Sequence, residues 1–455
     1  MAIRYENQIT FGMWSLQELL DPSHELVKLA EIIDWEEIYL RLAPYYSITG
    51  RRGLSIRMMV GLHLLKHKEN MSDEKCANEI RSNLYWMYFC GVDSDLLREK
   101  YKFLNSATMT KFRNRIGDEG FMVVEEIIRD YLIKKDFIDP RVMNTDSTCQ
   151  PKNVIYPTDS ALLNKGRKMV LAGMKKLTEL GVKSVVGIRT FSRKSRKIIL
   201  GIAKLGKNRQ ERIRAGTLEL ARQARHVWGK CLEQIKKSEK QKKIFSWEVA
   251  EKTRKVIAQL KAKAELLKRV IQQSRQRYKG IHVANKVYSM NEPAVIVISK
   301  GKAHCPNEYG SKLNLCTDKN GFIVNHETYT TNAHDSKLLE PALKNWEKAT
   351  GQLPNQVNTD RGYNQKKKNL KKGRIRDVRN ICTPWCGKKK NPDAEKAWFK
   401  RGQRQRSQIE GTIAHLKQDH RLNRCRYTGA KGDRINATLG CVAWNLARLS
   451  DRILE

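Results

Sequence analysis

Three short stretches each deliver one carboxylate: Val142-Met-Asn-Thr-Asp146, Gln356-Val-Asn-Thr-Asp360-Arg-Gly-Tyr363, and Arg406-Ser-Gln-Ile-Glu410 followed by Lys417. The first two place an aspartate at the end of a β-like run, where aspartate is otherwise disfavoured. The third places a glutamate inside a strongly basic helical segment. Hard divalent cations prefer oxygen ligands, whereas Lys and Arg hold polyanions. In a chain of formal net charge +40, the combination reads as cation-dependent phosphodiester chemistry on DNA. A lone glutamate in a basic stripe is ordinarily an ion-pair partner. The two upstream aspartates tip Glu410 towards the site.

Such a site needs two strands and a helix to converge. Residues 142–147 change period from helix to strand. Strand character returns at 294–299, 311–316 and 321–329, the last two joined by Asp318-Lys-Asn-Gly321, whose Asn-Gly is a hairpin signal. A helix is predicted over 335–350, then the Asp360 strand, a basic irregular stretch, a helix from about Arg401, and an apolar helix to the C-terminus. This is the order of an α/β, ribonuclease-H-like core: a mixed five-stranded sheet with flanking helices, holding the three acids at one end. A large helical insertion follows its first strand. The boundaries implied are 1–138 for an all-α N-terminal domain, 139–160 with 281–455 for the core, and 161–280 for the insertion.

The N-terminal region shows helical spacing at Leu26, Val27, Leu29 and Ile32, and again at Phe121, Val124, Ile127 and Ile128. Its segment from Ser106 resembles the entry to a recognition helix, with Ser106 as cap and Lys111, Arg113 and Arg115 exposed; a surface helix of an all-α bundle is the alternative, since this region is not basic overall. In the insertion, long amphipathic helices are expected, interrupted around 182–206, where Ile198-Ile-Leu-Gly201 looks turn-bounded.

Charge is distributed unevenly. Residues 1–140 hold 19 Lys+Arg against 22 Asp+Glu, net −3, whereas residues 161–280 hold 34 against 8, net +26. An excess of that size within one segment favours nucleic acid as its partner over a merely solvated face. No apolar run is long enough to span a bilayer and no leader is recognisable, so a cytoplasmic, nucleoid-associated protein without membrane partners is expected. The scattered cysteines fit a reducing compartment.

Asn-Thr-Asp146-Ser-Thr, Thr-Asp360-Arg-Gly-Tyr and Arg406-x3-Glu410-x6-Lys417 together resemble the DDE transposases of bacterial insertion sequences, specifically the insertion-sequence-five superfamily. That family's signature begins with a tyrosine where this chain has Gln403. His304-Cys-Pro-Asn-Glu-Tyr-Gly-Ser-Lys312 and Asn332-Ala-His-Asp335 also resemble family segments. The resemblance implies that Asp146, Asp360 and Glu410 hold two Mg²⁺ ions, for which Mn²⁺ can substitute. It implies further that Arg406 and Lys417 position the DNA backbone; Arg421 falls on the same stripe if the helix continues, Arg361 adds a cation beside Asp360, and Tyr363 either contacts DNA there or closes the turn. The implied partners are double-stranded DNA, both transposon ends and target, and a second copy of the chain in a synaptic homodimer. The alternative is a catalytically silent, domesticated DNA-binding protein on the same scaffold. Retention of all three acids weighs against it.

Overall fold

In a computed structural model the described residues are 10–11, 14–49, 53–92, 104–204, 206, 208–241, 247–299, 306–364, 373–385 and 391–454. His304, Cys305 and residues 366–372 lie outside them. The chain divides into two compact units, residues Met1–Asn153 with Ile298–Glu455, and Val154–Val297.

The first unit begins with helices α1 (Glu25–Ile32), α2 (Trp35–Leu42), α3 (Ile56–Lys68), α4 (Asp73–Glu79), α5 (Leu84–Cys90) and α6 (Ser106–Lys134). Side-chain caps start several of them: Ser55 accepts from Met58 N, Ser72 from Lys75 N and Asn83 from Trp86 N. Each satisfies an amide that the first helical turn leaves without a partner. Asn105, not Ser106, caps α6, accepting from Thr108 N. The helix is interrupted at Gly117.

The sheet contains β1 (Val142–Pro151), β2 (Ile296–Ser299), β3 (Asn307–Thr317), β4 (Ile323–Tyr329), β5 (Gln356–Asn358) and β6 (Asn380–Cys382). It is mixed and six-stranded rather than five-stranded, in the order β2-β3-β1-β5-β6, with β4 also on β3. β1 runs antiparallel to β3 and parallel to β5, and β5 runs parallel to β6. Gly321, with φ +82°, occupies the β3–β4 turn as the Asn-Gly signal anticipates.

Helices α11 (Leu339–Thr350), α12 (Ala397–Gln418) and α13 (Gly429–Leu454) complete the first unit. Strand alternation sends Leu313 and Leu315 of β3 to one face. There they share a cluster with Ile409 and Leu416 of α12 and with Cys441 and Trp444 of α13. Met143, Cys316 and Val324 belong to the other cluster, with Trp346 of α11 and the apolar residues of α1 to α6.

The second unit holds α7 (Asp159–Glu179), α8 (Ser192–Ala203), α9 (Arg209–Gln241) and α10 (Trp247–Tyr278). Val170, Leu177, Val227, Leu260 and Leu267 form its core. Gln234 of α9 donates to Met174 O and Thr178 Oγ1 of α7. The stretch Ile198 to Gly201 is helical rather than turn-bounded, because Ile198, Ile199 and Ile202 pack at helical spacing onto this core. Among the described residues no helix is long and apolar enough to cross a membrane.

Candidate active site

Asn144 and Asn358 are register partners on the parallel strands β1 and β5. Asn358 Nδ2 donates to Asn144 Oδ1 at 2.8 Å, and Asn144 Nδ2 donates to Asp318 O at 3.0 Å. Both side chains are fully buried, so these bonds satisfy amides that would otherwise be costly. Asp146 stands two residues further along β1, in mid-strand rather than at its end, and Asp360 stands two residues beyond the last residue of β5. Equal offsets from a locked pair on parallel strands bring the two carboxylates out on the same face at the same level. The repeated tripeptide Asn-Thr-Asp is the sequence signal of this register.

Each aspartate is fixed by a backbone amide, Ser147 N to Asp146 Oδ1 at 2.7 Å and Gly362 N to Asp360 Oδ1 at 2.9 Å. Gly362 has no room for a side chain. A Cβ there would lie 2.9 Å from Asp335 Oδ2 and 3.2 Å from Asp360 Oδ1. Asp335 therefore crowds Asp360, a fourth acid that the three-acid pattern does not include although it closes Asn332-Ala-His-Asp335. Asp335 accepts from Ser147 Oγ at 2.7 Å and pairs with the buried Lys312 Nζ at 2.6 Å. Burial, with Asp360 next and Asp335 also contributing, pushes the Asp146 carboxyl up to about 6. Burial and Asp335 raise Asp360. Negative charge is thus concentrated beyond what the local cations neutralise.

The helix α12 delivers Glu410. Gly402 lets it approach the sheet, since a Cβ there would meet Asn358 Oδ1 and the Cys382 thiol. Gln403, at the family's tyrosine position, donates to Cys382 O at 2.8 Å and to Thr359 O at 3.3 Å. It ties the helix to the ends of β5 and β6, next to Asp360. Replacing Gln403 with Ala is expected to cost about 1–2 kcal/mol and to slow DNA cleavage with little change in DNA affinity. Urea denaturation and a cleavage time course would show it, and an unchanged rate would remove Gln403 as a strut.

Arg406 Nη2 bonds Glu410 Oε1 at 2.6 Å, and its Nη1 stands 3.6 Å from Asp146 Oδ2. One guanidinium therefore links the helix acid to the strand acid. Glu410 itself is 58% exposed and turned onto this arginine. Among the described residues no three acidic, His or Cys side chains already stand at metal-binding spacing.

Several expected DNA contacts are placed differently. Arg113, expected to be exposed, is buried, because Asp73 grips it through both guanidinium nitrogens, at 3.0 and 2.6 Å. Tyr363 is buried and donates to Asn314 Oδ1, so it closes the turn after Asp360 and offers no surface to DNA. Arg421 does not continue the stripe of α12. The helix ends at Gln418, and Arg421 has φ +66° and donates to Asn70 O. Arg115 remains exposed, with its guanidinium over the Tyr46 ring at 4.5 Å. Arg361 is exposed beside Asp360, and Lys417 lies 3.8 Å from Glu308.

Residues 14–115 match the family described as "Transposase domain (DUF772)", and residues 358–450 match the transposase DDE domain. The chain belongs to the DDE-type insertion-sequence transposases. It is also similar to the uncharacterized protein ORF8 in the nfe locus of Rhizobium meliloti. The two are 33% identical over 167 residues, which is 35% of this chain and 78% of that protein. No solved structure matches it.

The DDE match covers Asp360, Arg406, Glu410 and Lys417 but stops short of Asp146, which the pairing of β1 with β5 and the contact with Arg406 bring near them. The family implies use of a divalent cation. The donor set fits one: oxygen-only side chains, of which Asp146 and Asp360 have their proton affinity raised first by burial and then by a neighbouring carboxylate, Asp360 for Asp146 and Asp335 for Asp360.

Proposed function

We propose that this transposase binds the terminal inverted repeats of an insertion sequence, cleaves DNA at the element's ends and joins the 3′ ends to target DNA. Phosphodiester hydrolysis is followed by transesterification, as in the insertion-sequence-five superfamily, on a ribonuclease-H-like core. The observation that carries this reading is that Asp146 within β1 and Asp360 just past the end of the parallel strand β5 stand at equal offsets from the bonded Asn144 and Asn358, with Arg406 linking Glu410 to Asp146. The mixed sheet, with its antiparallel β1, β3 and β4 and parallel additions β5 and β6, supports the ribonuclease-H-like assignment.

Asp146, Asp360 and Glu410 would hold two Mg²⁺ ions, with Mn²⁺ able to replace them. Bound there, the cations supply activation of a water or 3′-hydroxyl and stabilisation of the leaving oxygen. The chain's own part is to fix charge and position. The buried asparagine pair holds the two aspartates at one level, and Gln403 holds the helix that carries Glu410. Arg406 neutralises Glu410 and Asp146, and is freed to bind a backbone phosphate when Glu410 turns inwards. Arg361, Lys417 and Arg115 offer further cations to the backbone. Residues 1–138 serve end binding or dimerisation, and the core residues are 139–160 and 281–455. Joining two ends calls for a homodimer, acting on the nucleoid in the cytoplasm.

The deciding experiment incubates the purified chain with Mg²⁺ and a plasmid carrying its reading frame and flanking DNA. Cuts at the two boundaries of the element are expected. Absence of any boundary cut would overturn the reading.

The basic segment 161–280 is assigned to non-specific backbone binding. A chain lacking it should bind duplex DNA more weakly, with the slope of log affinity against log salt reduced by about 0.9 for each phosphate that is no longer neutralised. An unchanged slope, measured by fluorescence anisotropy, would exclude a clamp.

A further inference from the structure

A cavity of about 310 Å³ lies in the first unit, lined by five cationic side chains: Lys66, Arg113, Arg421, Arg424 and Arg426. Among the described lining residues Asp73 is the one carboxylate. Lys66 comes from α3 and Arg113 from α6, while the three other arginines come from the segment that follows α12. The two segments matched to transposase families thus build its wall together.

The buried half of this wall is organised in detail. Arg113 binds Asp73 through both terminal nitrogens, and Lys66 Nζ donates to the same carboxylate and to Tyr427 Oη at 2.8 Å. The Tyr427 ring lies under both cations, 4.7 Å from Lys66 Nζ and 4.5 Å from the Arg113 guanidinium carbon. His63 completes the base. Burial and the neighbouring Arg113 lower its pKa to about 3, so the neutral ring donates from Nδ1 to Met59 O and accepts from Arg113 at Nε2.

One aspartate cannot neutralise five cations. Among the described residues no acid pairs with Arg421, Arg424 or Arg426. Arg421 also holds a left-handed backbone, uncommon for a residue with a side chain, as the chain turns out of α12 towards the cavity. Burial pushes Lys66 down to about 8, with Asp73 opposing the shift and Arg113 and Arg421 adding to it. The surplus positive charge surrounds a space sized for a compact anion, and Arg and Lys are the standard recognition groups for phosphate.

We propose that this cavity is a binding site for a backbone phosphate of DNA, formed jointly by the N-terminal helices and the segment after the Glu410 helix. It rests on the transposase reading for the identity of the polyanion, and it assigns Lys66 and Arg113 a role as the buried floor of the site rather than as surface readers of bases. DNA held here is anchored just beyond the helix that carries Glu410. Such an anchor carries no sequence information and fixes register.

The test compares the full chain with its R424A/R426A variant, both arginines being exposed. A K134A/K135A variant, which removes the same charge from the exposed end of α6, serves as control. Fluorescence anisotropy with a short duplex of arbitrary sequence is run over a range of salt concentrations. R424A/R426A should weaken binding roughly tenfold and lower the salt slope by about 0.9 for each phosphate released, with the control close to wild type. In parallel, inorganic phosphate should raise the melting temperature of the wild type and not of R424A/R426A. DNA affinity and slope equal to wild type, or reduced no more than in the control, would overturn the proposal. That holds even if the phosphate response is lost, because the cavity would then take free phosphate only. Cleavage is scored separately. A wild type that binds but never cuts sinks the proposed function, whereas one that cuts while R424A/R426A binds normally sinks this inference alone.

Discussion

Asp146→Asn and Asp360→Asn are each expected to abolish Mg²⁺-dependent cleavage of the element's ends while leaving affinity for the same DNA within about twofold. Each substitution removes an ionised oxygen donor and keeps the shape, so the asparagine pair beneath should still hold β1 and β5 in register. Glu410→Gln should do the same. It differs in one respect that the structure makes checkable: the partner it frees, Arg406, still faces Asp146. Cleavage is read by a nicking assay on end-bearing plasmid, and folding by the unfolding midpoint. Cleavage above background in any of the three would remove that residue from the metal-holding set. Unaltered cleavage in all three would leave only a different site.

The second large effect concerns stability. Asp73→Ala leaves Lys66 and Arg113 buried at 3% and 6% exposure without their shared counter-ion. Breaking a buried pair in this way costs about 3–5 kcal/mol, most of it the penalty of uncompensated charge. Urea denaturation should show the midpoint fall sharply, and Lys66→Met in the same chain should recover part of the loss. The pH dependence has a definite sign. Burial raises the Asp73 pKa, but Arg113 and Lys66 outweigh it and hold the carboxyl well below its ordinary range. A folded value below the unfolded one, about 3.9, means the contribution is fully present above roughly pH 5 and disappears as pH falls towards the folded value. Wild-type stability should therefore drop on acidification below about pH 4, and Asp73→Ala should flatten that part of the curve. A variant as stable as wild type, with the same acid limb, would show that solvent already screens the network.

Some of this protein was legible along the chain. Strand and helix carry different periods, so the positions of β1, β3, β4 and α12, and the amphipathic helices of the basic segment, follow from local pattern. Although β1 does not end at Asp146 but runs on to Pro151, because its ladder with β3 continues, the two carboxylates after Asn-Thr and the concentration of charge in 161–280 are likewise properties of the residues themselves. So is the twice-repeated Asn-Thr-Asp, which already implies that two strands present the same group.

Orientation was not legible, because a charged side chain looks outward until something distant pairs with it. Arg113 turns inward for Asp73, 40 residues earlier in the chain, and Tyr363 turns inward for Asn314 across the sheet. Arg421 leaves its stripe because α12 stops at Gln418 and the backbone reverses hand. Asp335 and Gln403 acquire their places only when a tight glycine and two strand-end carbonyls meet them. Local sequence determines which groups are available and which element carries them. Pairing across long separations, where burying an unmatched charge is costly, decides which of those groups face DNA and which hold the site together.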